Sequence, residues 1–468
     1  MKEARKFLGL VPAVVVAALI ATAVPTAWAA SPATVMSART SVQWRALQQS
    51  IAGFGASGAF GQAANLMFMP PQTQTKILNL LFSTKDGAGL SIVRSLINDG
   101  VDGQSIEPSP GHWDFNLSGD DQIWLMHQAQ KYGVETFMST PWSPPAWMKA
   151  NHSVVGGPGE TDNVLLPKYY HAYAEYLAQY VNGYWSHFHI RISALSLQNE
   201  PDQNVKYASC IWTPDQFHTF IKQDLIPVFA ANHVHTQVVM PEQSFWGEQY
   251  AWPTLSDPQT ARAVQIVAAH GYGGTITPLS MAQSLHKQVW ETEDSTFTPD
   301  DSSITDGLNW AITINQYLTI ADVSAWNYWW LVNSGVDNEG LININTFNDS
   351  YTVNKRLYTL GNFSRFIRPR FNRISTSSDL PAGVSLSAYR DVKTGDFALV
   401  VINDTAHRIP FSAHFTDGFV WSGHVPTVIP YTTSATENLQ AGPSLSLPGG
   451  VLQTSLPPDS VTTYAGHS

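Results

Sequence analysis

Ile192-Ser193-Ala194-Leu195-Ser196-Leu197-Gln198 runs directly into Asn199-Glu200-Pro201-Asp202. The first seven residues carry no charge and are largely apolar, the pattern of a strand buried on both faces. Pro201 has no backbone N–H to give a sheet and stops the strand. Glu200 is therefore predicted at the strand's C-terminal end. The same texture recurs on either side: Ser50–Ser57 (SIAGFGAS), Leu90–Ile97 (LSIVRSLI), Val134–Thr140 (VETFMST), Thr236–Glu242 (TQVVMPE), Val264–Tyr272 (VQIVAAHGY), Gln288–Glu293 (QVWETE) and Asp322–Trp330 (DVSAWNYWW). Helical patterns separate these runs, most clearly Asp121–Tyr132 and Tyr169–Tyr184. Eight strand-then-helix alternations predict an α/β fold, a (β/α)8 TIM barrel. An open doubly wound sheet fits less well, because no Gly-rich phosphate-binding turn follows the first strand.

Beyond about residue 370 the helical period disappears. Short strand-like segments take over, such as Val384–Tyr389, Phe397–Ile402 and Ser460–Tyr464, with turn-forming residues between them. This stretch reads as an attached antiparallel β-sandwich of roughly 100 residues. The predicted organisation is a signal peptide over residues 1–29, a segment 30–50 contributing to the sandwich, the catalytic barrel over 51–368 and the C-terminal sandwich over 369–468.

The chain has 468 residues, 44% hydrophobic and 13% charged, which excludes disorder. Its formal net charge of −11 leaves no basic excess for phosphates, so nucleic acid is not expected as a partner. Lys2, Arg5 and Lys6 precede an apolar run from Phe7 to Val24, and Ala27-Trp28-Ala29 offers a cleavage site. Secretion, to an extracellular or periplasmic location, is expected, with no stable membrane insertion of the mature chain and a monomeric state. Cys210 is the single cysteine, so no internal disulfide forms; it reads as a packed thiol. Two His-x-His pairs, His187/His189 and His233/His235, lack a third ligand, and neither a metal nor another cofactor is expected. Sixteen tryptophans beside so little charge suit sugar binding, because pyranose C–H faces pack on aromatic rings.

Barrel chemistry sits at the C-terminal ends of strands. Glu200 ends the fourth strand, and Asn199 beside it can contact a sugar hydroxyl. The seventh strand ends in Val289-Trp290-Glu291-Thr292-Glu293-Asp294. Glu291 and Glu293 share a face by alternation, so spacing alone does not choose between them. Glu293 lies nearer the strand end, and Glu291 also fits a surface ion pair. Glu200 and a seventh-strand glutamate are about three βα units of roughly 30 residues apart, which sets them across the barrel mouth. Two carboxyls so opposed are what glycoside hydrolysis needs.

These features come together in a resemblance to glycoside hydrolase family 30, carried nearly end to end. The matching residues are Gly53-Phe54-Gly55-Ala56-Ser57, Leu90-Ser91-Ile92-Val93-Arg94, Pro141-Trp142-Ser143-Pro144-Pro145-Ala146-Trp147-Met148-Lys149, Gln198-Asn199-Glu200-Pro201-Asp202, Trp290-Glu291-Thr292-Glu293 and Asn362-Phe363-Ser364-Arg365-Phe366-Ile367-Arg368-Pro369. The resemblance implies Glu200 as acid/base and Glu293 as nucleophile, since the family glutamate follows Thr in W-x-T-E. It also implies a sandwich that takes in the segment before the barrel. Further mouth residues are Arg94, read as ending the second strand and holding a carboxylate ionised, and Trp142, to stack on a sugar. His270 would orient substrate and Tyr272 would hydrogen-bond the nucleophile. Trp329 resembles the floor under the cleaved sugar, with Trp330 beside it.

The family divides among xylan, β-1,6-glucan, β-1,6-galactan and glucosylceramide. The Tyr207-Ala208-Ser209-Cys210-Ile211-Trp212-Thr213-Pro214 stretch and the Trp-Ser-Pro-Pro segment resemble the polysaccharide-cleaving branches, and an endo-acting xylanase is the first expectation. β-1,6-Glucanase, β-1,6-galactanase and glucosylceramidase are alternatives, and a carbohydrate-binding protein on an inactive barrel is the non-enzymatic one. One departure stands out. Glucuronoxylan-specific bacterial members carry arginines just after the eighth strand, where this chain reads Leu331-Val332-Asn333-Ser334-Gly335-Val336. Without that carboxylate-gripping fork, no strict dependence on glucuronate decoration is expected.

Overall fold

Eight parallel strands close into a barrel in the computed structural model, which describes residues 36–100, 104–117, 119–419 and 426–467. The signal-peptide reading of residues 1–29 lies outside them. A first strand, β1 (Ala38–Ser50), precedes the barrel, whose strands are β2 (Gly53–Ser57), β3 (Ile92–Ile97), β4 (Thr136–Pro141), β5 (Ala194–Ser196), β6 (Gln237–Gln243), β7 (Ile266–Ala269) and β8 (Gln288–Asp294). After β9 (Thr296–Pro299), β10 (Ala325–Asn333) pairs with both β8 and β2 and closes the ring. Each predicted strand run overlaps its barrel strand; β4, β6, β8 and β10 run one to three residues beyond the predicted end, and others are shorter. The seven-residue run around Leu195 yields three residues of β5, and the nine-residue run from Val264 yields four of β7. The remainder of those runs leaves the ladder to build the mouth.

Ile92, Met138, Ala194, Val239, Ile266, Ala268, Trp290 and Ala325 form one buried apolar cluster contributed by seven of the barrel strands. This fills the lower barrel, and the buried charged side chains of the strands lie above it, toward the upper end. Gly55 is required where the strands approach closely: a Cβ there would lie 2.3 Å from the Ile92 carbonyl oxygen and 2.6 Å from Asn327 Oδ1.

β10 continues into a small mouth structure of β11 (Asp337–Asn338), which pairs with β9, and the hairpin of β12 (Gly340–Asn345) with β13 (Ser350–Val353). Arg356, fully buried, fixes this structure. It donates to Gly340 O (2.8 Å), Asn338 Oδ1 (2.6 Å) and Asp306 Oδ2 (2.6 Å).

The second sheet comprises β1 with β14 (Asn372–Asp379), β15 (Val384–Arg390), β16 (Asp396–Asn403), β17 (Ile409–Thr416), β18 (Thr427–Thr433), the two-residue β19 (Gln440–Ala441) and β20 (Leu445–Ser446), β21 (Val451–Leu456) and β22 (Ser460–His467). Phe411 of β17 meets Tyr464 of β22 at 6.2 Å between ring centroids, although those strands are far apart in the sheet order, so the sheet folds over its own core. The expected antiparallel character holds with one exception: β1 lies between β14 and β17 and runs parallel to β17. Tyr389, Ala398, Val400, Ile402 and Val461 from this sheet belong to the same apolar core as Leu357, Leu360 and Phe363 of the helix Lys355–Ser364. Asn362 Nδ2 adds a hydrogen bond to Tyr431 O (2.9 Å).

Candidate active site

The upper end of the barrel opens into a cavity of about 480 Å³. Glu200 and Glu293 line it, with Gln203, Ser244 and Glu339 as further polar groups; the rest of the wall is aromatic, from Phe60, Trp142, Tyr207, Phe245, Tyr272, Phe297, Trp329 and Trp330. A larger cavity, about 660 Å³, lies against Trp290 at the opposite end. Its one carboxylate, Asp322, is paired with Arg373, so it offers no second acid.

Glu200 follows β5 by four residues rather than ending the ladder itself. Its backbone takes a left-handed φ of 41°, held by its N–H donating to Glu242 O at 2.9 Å. This bend turns the side chain into the cavity. Glu293 sits near the end of β8, where the pairing with β10 slips register between Glu291 and Asp294. A bulge of this kind breaks simple alternation and re-aims side chains, so the two seventh-strand glutamates part company. Glu291 is fully buried and fits no surface ion pair: its carboxylate accepts from Glu293 N (2.8 Å) and Asn327 N (3.3 Å). Glu293 reaches the cavity instead.

Both oxygens of Glu293 are held. Tyr272 Oη donates to Oε1 at 2.9 Å, and Arg94 pairs with Oε2. Arg94 lies in the middle of β3 rather than at its end, and it is fully buried beneath the cavity. Its Nη2 also donates to Asn199 Oδ1 (2.7 Å) and lies 3.1 Å from Glu242 Oε1. The guanidinium carbon packs 4.6 Å from the centroid of Trp142, a cation–π contact. Asn199 is thus tied down beside the site and does not line the cavity.

His270 is also completely buried under the cavity and touches carboxylates rather than open space, in contrast to the expected substrate contact. Its Nδ1 lies 3.1 Å from Glu200 Oε1, and its Nε2 lies 3.6 Å from Glu242 Oε1 and 3.9 Å from Glu293 Oε2. Burial opposes the imidazolium charge, but the surrounding glutamates outweigh it and raise His270 to about 10. Burial likewise disfavours the Glu242 carboxylate, yet Arg94 and His270 bring it down to about 2. For Glu293, burial wins and raises the carboxyl above its ordinary range, with His270 and Arg94 pulling the other way. Trp142, Tyr272, Trp329 and Trp330 all line the cavity; Trp329 and Trp330 stack at 5.0 Å, and Trp142 packs on Trp329 at 5.7 Å.

Glu200, His270 and Glu293 present oxygen or nitrogen atoms within 4.8 Å of one another, a grouping of the size that holds a metal ion. A divalent cation there would compete with Arg94 for Glu293 and would need His270 deprotonated, so the trio behaves as a charge network, with a hydrogen bond between His270 and Glu200. The His-x-His pairs lie elsewhere, with His187 stacked on Phe115.

Two glutamates of the site escape a reading of the sequence. Glu242 follows Pro241 at the end of the fifth barrel strand, so the strand-end rule that picks Glu200 applies equally to it. Glu339 lies beyond the last barrel strand, and only the mouth structure brings it back to the cavity.

Comparison with known proteins gives this geometry a class. The glucuronoxylanase XynC of Bacillus subtilis is 28% identical over 354 residues, 73% of this chain and 76% of that protein. The mouse lysosomal acid glucosylceramidase is 24% identical over 420 residues, 80% of this chain and 78% of its own. The glycoside hydrolase family 30 subfamily 8 xylanase Xyn30A of Clostridium acetobutylicum superposes with a TM-score of 0.77 at 29% identity, covering 92% of this chain and 100% of that structure. Residues 51–348 match the family model described as glycosyl hydrolase family 59. The protein is a glycoside hydrolase, within the group that this model describes. The model covers the barrel alone, whereas the similar solved structures span barrel and sandwich together and carry the family 30 name. The chain accordingly belongs to glycoside hydrolase family 30.

Proposed function

We propose that this hydrolase is a retaining β-glycanase that cleaves xylan within the chain, with Glu200 as acid/base and Glu293 as nucleophile. The observation that carries the mechanism is the approach of the two carboxylates, whose nearest oxygens lie within 4.8 Å. Retaining enzymes hold their carboxyl groups about 5–5.5 Å apart, whereas inverting ones need roughly 6.5–9.5 Å to admit a water. Glu200 protonates the glycosidic oxygen as Glu293 attacks the anomeric carbon, and the leaving sugar departs. Glu200 then takes a proton from water, which attacks the anomeric carbon and releases Glu293. Arg94 and Tyr272 orient the nucleophile by binding both of its oxygens. Trp329 and Trp330 offer faces for a sugar ring.

Xylan is supported by the names of relatives at 28–29% identity, a glucuronoxylanase and a family 30 xylanase. No arginine stands between Leu331 and Val336, so glucuronate decoration is not a requirement in this reading. Export after cleavage behind Ala29 completes it, and N-terminal sequencing of protein from the culture medium checks that step.

Glu293→Ala is expected to abolish turnover, and added azide to give a glycosyl azide of inverted configuration. Activity surviving in Glu293→Ala but lost in Glu291→Ala would refute the assignment. Product profiles on xylan, β-1,6-glucan and β-1,6-galactan side by side test the sugar.

A further inference from the structure

Glu339 is the third carboxyl of the cavity, and the mechanism does not use it. It is 9% exposed and lines the wall beside Trp330, whose backbone N–H donates to Glu339 O at 3.1 Å. Its position is rigid. Glu339 N donates to Asp337 Oδ1 (3.3 Å), and Arg356 fixes the neighbours on both sides, Asn338 and Gly340. Its charge environment differs from that of the carboxyls paired with arginine. The buried Glu293 and Asp306 each face an arginine. Glu339 faces Asp337 and Glu293, and among the described residues no lysine or arginine lines the cavity. A desolvated acid held stiffly without a cation costs stability, and such local costs belong to functional sites.

We propose that Glu339 is a specificity residue: it hydrogen-bonds a hydroxyl of a neutral sugar seated against Trp330, and it rejects sugars bearing a carboxylate there. This rests on the glycanase reading above and names the substrate class more narrowly. Burial, with Asp337 and Glu293, raises the Glu339 carboxyl to about 7. Near neutral pH it therefore exists both as an acid that donates and as a carboxylate that accepts. A hydroxyl pairs with either form. A uronate seated there meets Glu339, which has no cation beside it, whereas His270 and Arg94 offset Glu200 and Glu293, and like charges in a dry site repel strongly.

The test is a titration followed by tryptophan fluorescence, since three tryptophans line the cavity. Unsubstituted xylo-oligosaccharides, glucuronate-substituted ones and β-1,6-gluco-oligosaccharides are titrated into Glu293→Ala protein, alone and with Glu339→Gln or Glu339→Ala added. The neutral ligand is expected to bind about tenfold more tightly than the glucuronylated one. Glu339→Ala is expected to weaken the neutral ligand about tenfold, and Glu339→Gln to tighten the glucuronylated one. Equal or tighter binding of the glucuronylated ligand, or no change on removing Glu339, overturns the proposal, as does failure to bind any neutral oligosaccharide. If the gluco- rather than the xylo-oligosaccharide binds and responds to Glu339, the proposal stands and the xylan reading falls.

Discussion

His270 carries a positive charge that three glutamates share, and its protonation ties the site to pH. The folded imidazole is raised from its ordinary 6.5 to about 10. Its stabilising contribution is complete below about 6.5 and is withdrawn as pH climbs through about 10. Glu242 behaves in the opposite sense: lowered from 4.5 to about 2, it contributes fully above about 4.5 and is lost as pH falls through about 2. Both are complete together between about pH 4.5 and 6.5. Urea midpoints measured across pH should fall on the alkaline side for the native chain, and His270→Gln should flatten that limb. A second expectation separates the two seventh-strand glutamates by what they support. Glu291→Ala leaves the N–H groups of Glu293 and Asn327 without their acceptors, and should cost about 2 kcal/mol in denaturant unfolding. Its hydrolysis should remain measurable, where that of Glu293→Ala does not. The placement of Glu200 just past β5 and of Glu293 near the end of β8 is legible in the sequence, because an apolar run leads into each charge and Pro201 stops the first. The pairing of Arg94 with a carboxylate is legible too, but its depth and the roles of Asn199 and His270 as buried supports are not, because depth below a cavity floor has no one-dimensional signal.

Among the elements, strand identity follows from apolar runs, and strand length does not. β5 and β7 shorten because Gln198–Glu200 and His270–Tyr272 peel away to make the mouth, and local composition is the same on either side of that departure. The bulge in β8 is equally silent, and it is what parts Glu291 from Glu293. Helix packing offers a test in which magnitudes compete. Gly183 lies inside the helix Tyr170–Phe188, and a Cβ there would come 2.1 Å from the Phe115 ring. Alanine gains about 1 kcal/mol in helix propensity over glycine. Overpacking costs typically 1–3 kcal/mol and more where an aromatic ring must move. The contact is close enough for packing to win, and Gly183→Ala should lower the thermal midpoint. Arg356 links elements by another means. Arg356→Met removes the cation facing Asp306 and frees β11 and β12, with an expected loss of about 3 kcal/mol. Substrate affinity should weaken in the same variant, because Glu339 lies between the two residues that Arg356 holds.

For the molecule as a whole, barrel and sandwich share one apolar core, in which Phe363 packs together with Tyr389 and Val400. Parts joined by a continuous core lose it together, so calorimetry should show a single unfolding transition rather than one for each sheet. The shift from helical patterns to short strand-like segments near residue 370 marks the sandwich in the sequence. The lateral partners of β1 are invisible there, because they lie more than 300 residues away: Thr40 Oγ1 bonds Ser377 O across 337 positions. That distance has a consequence for how the protein is made. β1 leaves the ribosome first among the described strands, while the strands on either side of it, β14 and β17, emerge only after the whole barrel. Until then it has two bare edges and nothing to close them, and closing so long a loop is slow. Its completion has to wait until the barrel has been made. A chain ended early after the barrel would lack both neighbours and carry at its beginning an open template for other chains.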